Sequence, residues 1–415
     1  MRVLMISAGH PLPADNGAKR RILATAEFAA RHHDLTLVSL RESASPAFEP
    51  RAPCWRDLVV DHPPRGRLWT AARSCLSRKS YTQLRYRNAA LRSIVLRLLA
   101  TEPFDCVWIH LLGMAAAVEP CFRGRWDGRY ARPLFVLDQH NVDERYFRSF
   151  VEGAPNAPLR LCAALEAAKA RHLQERWFPR FDVILCVAPE DVRESGRFVG
   201  PSTRIVLAPN GVDLDYFTLV PSSALRGQAS VIVFGGSLDV TMNQDGVRWF
   251  HGSVLPHVRR RAPDVQLRIV GRSPPPDLRK LGEQRGTTLT GTVADVREHY
   301  RQAAVFVVPL RFGGGTKLKT LEAMAMGLPV VSTRVGAQGL DITSGRHLHV
   351  ADDPHEFADR IVELLWDREK AVAMGAEARR LVEREYGWSA ILGKVEAVLL
   401  PLLADRRAPT RRVVR

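Results

Sequence analysis

The sequence predicts an α/β protein made of two Rossmann-like domains, each with a doubly wound parallel sheet. Short apolar runs alternate with helical segments along most of the chain. These runs are continuously apolar, as burial on both faces of a parallel sheet requires. The alternation stops at the Pro-Asn-Gly turn of residues 209–211 and then restarts. At 415 residues the chain also exceeds the usual size of a single hydrophobic core.

The first half is predicted to alternate strands with long helices. The strands are RVLMIS (2–7), LTLVSL (35–40), FDCVWIH (104–110), PLFVLDQH (133–140) and FDVILCVA (181–188), and the helices cover 18–31, about 81–100 and about 159–177. The segment IVLAPNGVDLDYF (205–217) then leads into a polar, Ser-rich stretch and is interpreted as a linker.

The second half repeats the pattern with predicted strands VIVFGGS (231–237), LRIVG (267–271), TTLTG (287–291), AVFVVPL (304–310) and PVVST (329–333). We therefore expect an N-terminal domain at 1–214, a C-terminal domain at 215–385, a helix at 386–405 that packs back toward the first domain, and a disordered basic tail at 406–415. Because ligands of such folds bind at the carboxyl ends of the strands, the expected site is a cleft between the domains.

Composition narrows the possible partners and compartments. The net charge is +16, but the charges are dispersed and no RNA-binding signature or zinc finger occurs, so a nucleic-acid partner is not expected. An acidic substrate, an anionic membrane surface and a merely arginine-rich composition all stay open. Six scattered cysteines without a C-x-x-C pair predict a reduced, cytoplasmic protein. The first apolar run is too short for a signal peptide and no run approaches a membrane span, so we expect a soluble protein.

The most informative segment is PLRFGGGTKLKTLEAMAMGLPVVST (309–333), in which a predicted strand leads through three glycines into a helix. Glycines let a ligand approach the backbone, and the free N–H groups at a helix start attract anions. We expect Thr316 to cap this helix, with Lys317 and Lys319 adding positive charge beside it. Glu322, one turn further on, can accept two hydroxyls of a ribose. Phosphate at the helix start and ribose one turn in is the layout of a nucleotide site.

Each of these features also has an ordinary explanation, since glycines after a strand often form only a turn and a helix carboxylate is usually solvated. The segment is not a Walker phosphate loop, because G-T-K stands where G-K-[ST] is required. A nicotinamide dehydrogenase is disfavoured, because neither residues 9–17 nor Gly235-Gly236 complete a G-x-G-x-x-G fingerprint. The D-x-D triplet at Asp213 and Asp215 is interpreted as part of the linker and not as a metal site.

Two polar segments of the first half follow predicted strands. PLPADNGAKRR (11–21) places Asn16 and Gly17 where they can meet a ligand, although Asn16 can equally mark a plain helix start. DQHNVDERYF (138–147) places His140 at the carboxyl end of a strand, with His110 as a rival at the end of another. A lone histidine is often structural, so both explanations stay open for His140.

Together these segments resemble the family 4 retaining glycosyltransferases of GT-B fold, and within them a subgroup that reads GSMDW…PN and GGGTRLK. The resemblance covers nearly the whole chain and rests on LEAMAMGLPVVST (321–333), APNGVDLDYF (208–217) and FGGSLDVTMNQDG (234–246), supported by DQHNVDERYF and REYGWS (384–389). It implies two domains facing a cleft and transfer of a sugar, with retention, from a nucleotide-diphosphate donor. The acceptor would be a small molecule, a lipid-linked molecule or a glycan, and neither a metal nor another cofactor is implied.

The resemblance also assigns roles to individual positions. His140, Lys317 and Glu322 are the implied catalytic residues, with Glu322 on the ribose and His140 against the donor sugar. The implied donor-binding residues are Gly17, Ser237, Asn243, Gly313, Gly314, Gly315, Thr316, Lys317, Leu318, Lys319 and Glu322.

The sequence departs from the family pattern at two places. The first glutamate of the family's Glu-x7-Glu pair would fall at position 314, which is glycine, so an altered donor preference is expected. Ser237 and Gln244-Asp245 stand where an Arg and Lys pair usually holds the diphosphate. We therefore expect Lys317, Lys319 and the glycine amides to carry the phosphates.

Three further questions stay open at this point. A nucleotide-sugar epimerase of the same fold would bind the same donor, but it should contain acid/base carboxylates that the sequence does not indicate. A non-catalytic nucleotide-sugar-binding protein would also share the donor site. Finally, the Arg-rich stretch Arg65–Arg97 carries Leu91, Ile94, Val95 and Leu98 at helical spacing, which fits either a peripheral contact with the inner face of a membrane or a core-facing helix.

Overall fold

The computed structural model describes residues 1–14, 16–42, 55–63, 66–122, 129–153, 156–221, 230–313 and 316–407. Two compact units make up this part of the chain. The first is Met1–Ala208 together with the chain from Ile391 onward, and the second is Pro209–Ala390. Most of the expected basic tail, from residue 408 onward, lies outside the described residues.

The first unit contains a parallel sheet of seven strands in the order β3-β2-β1-β4-β5-β6-β7. Its strands are β1 (Arg2–Ser7), β2 (Asp34–Glu42), β3 (Arg56–His62), β4 (Cys106–His110), β5 (Leu134–Asp138), β6 (Val183–Cys186) and β7 (Arg204–Leu207). All five predicted strands are confirmed, and β3 and β7 are additional edge strands. The central strands β4, β5 and β6 are buried along their whole length, as their unbroken apolar sequence requires.

The helices of the first unit cover both faces of this sheet. They are α1 (Gly17–His32), α2 (Arg67–Cys75), α3 (Tyr81–Tyr86), α4 (Ala89–Thr101), α5 (Asp143–Gly153), α6 (Ala157–Trp177) and α7 (Pro189–Gly196), with 3₁₀ turns at Leu112–Phe122 and Phe178–Arg180. The predicted helix at about 81–100 is therefore two helices, divided where Asn88 caps α4. Leu91, Val95 and Leu98 of α4 are buried in the core, so the core-facing explanation of that apolar stripe is correct.

The second unit contains a parallel sheet of six strands in the order β10-β9-β8-β11-β12-β13. Its strands are β8 (Val231–Gly235), β9 (Gln266–Val270), β10 (Thr287–Leu289), β11 (Val305–Val308), β12 (Val330–Ser332) and β13 (His349–Val350). The five predicted strands are again confirmed, and β13 is an additional edge strand of two residues.

The helices of the second unit complete its doubly wound fold. They are α8 (Thr241–Trp249), which a π-helical turn at Phe250–Val254 joins to α9 (Leu255–Arg261), followed by α10 (Pro276–Gly282), α11 (Val296–Tyr300), α12 (Leu318–Ala325), α13 (Pro354–Trp366) and α14 (Arg368–Glu385). A last helix, α15 (Trp388–Arg407), begins in this unit, and its residues Ile391, Val395 and Leu399 pack in the core of the first unit. No helix among the described ranges is long and apolar enough to cross a membrane.

Both sheets reverse their strand order beside their first strand, and the fold directs ligands to the strand ends at that point. In the first unit the reversal lies between β1 and β4, and in the second it lies between β8 and β11. The residues that follow β1 and β4, and those that follow β8 and β11, are therefore the first places to look for chemistry.

Candidate functional site

The loop after β11 begins the candidate site of the second unit. Gly313 has a φ of +113°, a conformation that favours glycine. A Cβ atom there would lie 3.0 Å from Met242 Sδ and 3.8 Å from Lys317 Nζ, so the loop passes close to a lysine ammonium. Gly314 and Gly315 lie outside the described residues, and the expected effect of glycine at position 314 on donor preference stays a prediction.

Helix α12 begins later than the sequence predicted. Its N-cap is Lys317, whose extended backbone (φ −89°, ψ 106°) delays the first helical residue to Leu318, so the prediction that Thr316 caps the helix is wrong. The Thr316 carbonyl instead accepts a hydrogen bond of 3.3 Å from Asn210 Nδ2, which ties the loop to the Pro-Asn-Gly turn. The Lys317 side chain makes no cap hydrogen bond to the first turn. The first amides of a helix have no acceptor within it, and they suit an anion.

Lys319 lies at the centre of this site. Its Nζ donates a hydrogen bond of 2.6 Å to Asn243 Oδ1 and lies 4.5 Å from the centroid of the Phe234 ring. Burial, followed by the nearby charge of Lys317, lowers the pKa of Lys319 to about 7, against the opposing influence of Glu322. The ammonium is thus only partly protonated at neutral pH, and a bound anion would favour its charged form.

The loop after β8 lies beside Lys319 as well. Gly236 has a φ of +155°, and a Cβ atom there would lie 2.4 Å from Lys319 Nζ. Asn243 Nδ2 donates to the Ser237 carbonyl at 2.7 Å, so Ser237, Asn243 and Lys319 are brought together. Sequence reasoning missed Arg272, which follows β9 and whose Nε donates to Ser237 Oγ at 2.8 Å. The only signal for it was an Arg directly after the predicted strand LRIVG.

Glu322 is buried in the second turn of α12, with 5% of its surface exposed. The sequence placed it off the core-facing stripe, but α12 is covered on all sides, and Leu321, Ala323 and Ala325 beside it are fully buried. The ordinary explanation of a solvated surface carboxylate is therefore wrong. Leu318, in the first turn, is partly buried and packs against the core.

Two other predicted polar segments have local structural roles. Asp213 Oδ1 accepts hydrogen bonds from the backbone N–H groups of Asp215 and Tyr216 at 3.0 and 2.9 Å, which is an Asx turn. In the first unit, Asn16 Oδ1 accepts from the Lys19 N–H at 3.0 Å and caps α1, whose first residue is Gly17.

The candidate site of the first unit is a buried polar cluster around His140. Asp138 Oδ1 accepts from Arg21 Nε and from an Arg21 terminal nitrogen, each at 2.8 Å. Asp138 Oδ2 lies 3.4 Å from Trp108 Nε1 and 3.4 Å from His110 Nδ1. His110 Nδ1 in turn lies 3.1 Å from His140 Nε2. The two rival histidines of the sequence analysis thus belong to one cluster. Its other members, Arg21 and Asp138, stand at the ends of the segments PLPADNGAKRR and DQHNVDERYF, but no role was predicted for them.

The charges of this cluster are fixed by burial and by the Arg21–Asp138 pair. Burial lowers the pKa of His110 to about 4 and that of His140 to about 3, so both rings are neutral at physiological pH. Burial is the largest single influence and opposes ionisation of Asp138, but the Arg21 charge together with His110 and His140 outweighs it and lowers the pKa of the carboxyl to about 2. His110, Asp138 and His140 also have the residue types of a metal site. However, Arg21 already neutralises the one carboxylate, which favours a hydrogen-bonded network over a cation.

Comparison with known proteins identifies the family. The model described as Glycosyltransferase Family 4 matches residues 15–216, and the model described as Glycosyl transferases group 1 matches residues 229–367. A GDP-mannose-dependent alpha-(1-6)-phosphatidylinositol monomannoside mannosyltransferase of Mycobacterium tuberculosis is 30% identical over 321 residues, which are 72% of this chain and 76% of that protein. The chain is a family 4 glycosyltransferase.

Further similarities agree with this assignment. A phosphatidyl-myo-inositol mannosyltransferase of Mycobacterium leprae is 31% identical over 222 residues, covering 51% of this chain and 58% of that protein. Among solved structures, a sucrose-phosphate synthase from Thermosynechococcus elongatus has a TM-score of 0.72 at 17% identity and covers 98% of this chain and 100% of that one. Anabaena HepE in complex with UDP-glucose has a TM-score of 0.62 at 14% identity over 96% of this chain and 99% of that one. The GT-B glycosyltransferase fold expected from the sequence is confirmed.

Proposed function

We propose that this glycosyltransferase moves a hexose from a nucleoside-diphosphate sugar to a lipid-linked acceptor, with retention of anomeric configuration and without a metal ion. The observation that carries the donor assignment is the position of Lys319 Nζ, held by Asn243 against Gly236 at the strand reversal between β8 and β11. A partly buried ammonium beside the Gly236 turn and the start of α12 suits a diphosphate.

Glu322 completes the proposed nucleotide site of the second unit. The buried Glu322 carboxylate accepts the ribose hydroxyls, and such charge-assisted hydrogen bonds are about twice as strong as neutral ones. His140 contacts the donor sugar, as the family resemblance implies. As the bond to the anomeric carbon breaks, negative charge develops on the leaving diphosphate. Lys317, Lys319 and the first amides of α12 then stabilise this charge without a metal ion.

A panel of nucleotide sugars tests the donor assignment. GDP-mannose comes first, because one relative carries that donor in its name. Purified protein should transfer sugar from one member of the panel to a lipid extract and release the nucleoside diphosphate in equal amount. Conversion of the donor to an epimer with no transfer would support the epimerase interpretation. Binding without turnover of any donor would support a non-catalytic protein.

The lipid-linked acceptor is supported by an apolar and basic surface on α2 and α6. Trp69 is 57% exposed and Leu76 is 93% exposed, while Leu159, Leu161 and Leu165 are exposed on α6. The two helices are neighbours, because Cys75 Sγ lies 3.3 Å from Cys162 Sγ. Arg73, Arg78, Lys79 and Arg160 are exposed among these apolar residues. Apolar side chains ringed by cations suit the interface of an anionic membrane.

Flotation with liposomes tests this surface. The unchanged protein should float with vesicles that contain phosphatidylglycerol and remain behind with vesicles of phosphatidylcholine alone. Replacing both Leu76 and Leu161 by Asp should abolish flotation, whereas Trp366→Asp, at an exposed apolar residue of the second unit, should not. Flotation that does not depend on anionic lipid, or that survives the double substitution, would contradict the proposal.

A further inference from the structure

Two buried histidine nitrogens of the first unit have no hydrogen-bond partner among the residues that the structure describes. They are His110 Nε2 and His140 Nδ1. The opposite nitrogens of the same two rings face each other at 3.1 Å. A buried polar atom without a partner is uncommon in folded proteins and calls for an explanation.

The hydrogen-bond chemistry of the cluster determines where the two protons lie. Both rings are neutral at physiological pH, so each carries one proton. Asp138 is ionised and can only accept, and its Oδ2 lies 3.4 Å from His110 Nδ1. If that nitrogen were unprotonated, its lone pair would face the negative carboxylate oxygen, and the two acceptors would repel each other. His110 Nδ1 must therefore carry the proton.

The tautomer of His140 follows from this assignment. His140 Nε2 faces the N–H of His110 and must accept it. The single proton of His140 is then on Nδ1, which leaves Nδ1–H as a donor without a partner. His110 Nε2, the other unpartnered atom, is correspondingly an acceptor. The two atoms are thus one donor and one acceptor, and a hydroxyl group can pair with either, since it can accept and donate.

The rest of the cluster keeps Asp138 in the orientation that this chain of hydrogen bonds needs. Arg21 occupies Oδ1 with two hydrogen bonds, and Trp108 Nε1 lies 3.4 Å from Oδ2. The Leu111 N–H donates to the Asp138 carbonyl at 3.0 Å, with Leu111 held in the left-handed conformation at φ +72°. This hydrogen bond joins the ends of β4 and β5 and holds Leu111 in an unfavourable backbone conformation.

We propose that Asp138 and His110 are positioning residues that hold His140 as the neutral Nδ1–H tautomer, so that it offers a hydrogen-bond donor to a hydroxyl of the sugar. This role rests on the proposed function, whereas the tautomer itself does not. His140 acts neither as an acid nor as a base, and Asp138 sets its tautomer through the hydrogen bond that His110 makes to it.

Nuclear magnetic resonance on the full chain without ligand tests the tautomer directly. Protein with ¹⁵N-labelled histidine should give a His140 signal with Nδ1 protonated and Nε2 unprotonated, unchanged between pH 5 and pH 8. The signals are assigned by their loss in His140→Gln or in His140→Asn, and those of His110 by their loss in His110→Gln. A protonated Nε2 on His140, an imidazolium at pH 6, or a joint shift of both rings on addition of zinc would overturn the proposal.

Substitutions then separate positioning from a merely structural role. In Asp138→Asn the amide can donate to His110 Nδ1, which should reverse both tautomers and lower kcat about tenfold with little change in KM for the donor. His140→Asn keeps a donor near the Nδ1 position and should retain more activity than His140→Gln, whose amide lies near the Nε2 position. Equal activities of these two variants would contradict the Nδ1–H assignment. If no donor supports transfer, the proposed function fails, while the resonance result still decides the tautomer.

Discussion

The two candidate sites both lie at the carboxyl ends of strands in similar parallel sheets but differ in how their charges are satisfied. In the first unit, the carboxylate of Asp138 is paired with Arg21, and the pKa values of about 3 and about 4 leave His140 and His110 neutral at physiological pH. In the second unit, Lys319 donates to the neutral amide of Asn243 and has a pKa of about 7. The same topology thus supports one network whose buried charges are already paired and one in which a bound anion would stabilise the charged form of a lysine.

This difference makes the second unit the expected source of donor affinity and of its pH dependence. The largest effect should come from Glu322→Gln, which removes the charge from the proposed ribose contacts. Hydrogen bonds to a charged group contribute about 1.5–3 kcal/mol, so donor affinity should fall roughly 10- to 150-fold. Calorimetry with the donor nucleotide measures this loss. Glu383→Gln, at an exposed position of α14, serves as the control, and an unchanged affinity for Glu322→Gln would remove Glu322 from the site.

A second prediction concerns the close approach of Gly236 to Lys319. The Cβ atom of Gly236→Ala would lie 2.4 Å from Lys319 Nζ and would displace it, so we expect donor affinity to fall about tenfold. Gly345→Ala is the matched control, because Gly345 also has a positive φ of +84° and nothing lies within 4 Å of its added Cβ. Thermal unfolding of both variants separates a lost contact from a damaged fold. If Gly236→Ala binds donor as tightly as Gly345→Ala, Lys319 does not hold the phosphates.

The pH dependence of donor binding distinguishes the two sites. Protonated Lys319 binds the diphosphate, so affinity should be highest below the pKa of about 7 and fall as pH rises through it, by about tenfold between pH 6 and pH 8. A nucleotide sugar is the correct ligand, since neither of its phosphates titrates in this range. Lys319→Arg should abolish the dependence because arginine stays charged. A dependence that persists in this variant would place the titrating group elsewhere.

The smallest expected effect is that of chelation. Because lysines and helix amides are proposed to stabilise the leaving diphosphate, EDTA should leave the rate of transfer unchanged within error. Loss of turnover that manganese restores would contradict this, and would turn attention to Asp213, Asp215 and the His110–His140 cluster.

The sequence predicted the central strands well because they are continuously apolar, and burial on both faces requires that composition. It missed β3 (RDLVVDH), an edge strand whose residues alternate between exposed and buried and whose charges resemble those of a loop. It also missed the two residues of β13, which are too few to form a pattern.

The candidate sites were predicted to a more limited extent. Lys319, Ser237 and Asn243 lie together, because the strand–glycine–helix pattern places them at adjacent strand ends, while their contact with the donor stays a prediction. The burial of Glu322 was not predicted, because helical periodicity identified only one buried face of α12. The helix is in fact covered on every side. Arg21, Asp138 and Arg272 were missed because their importance arises from contacts 35 to 117 residues apart in the chain, which no local motif records.

A crystal structure of the protein with its donor nucleotide would test the central claim most directly. We predict that the diphosphate oxygens lie within hydrogen-bond distance of Lys319 Nζ and of the first amides of α12. The ribose hydroxyls should lie on the Glu322 carboxylate, and no metal ion should bridge the phosphates. A nucleotide bound away from α12, or a diphosphate held through a metal ion, would contradict the account.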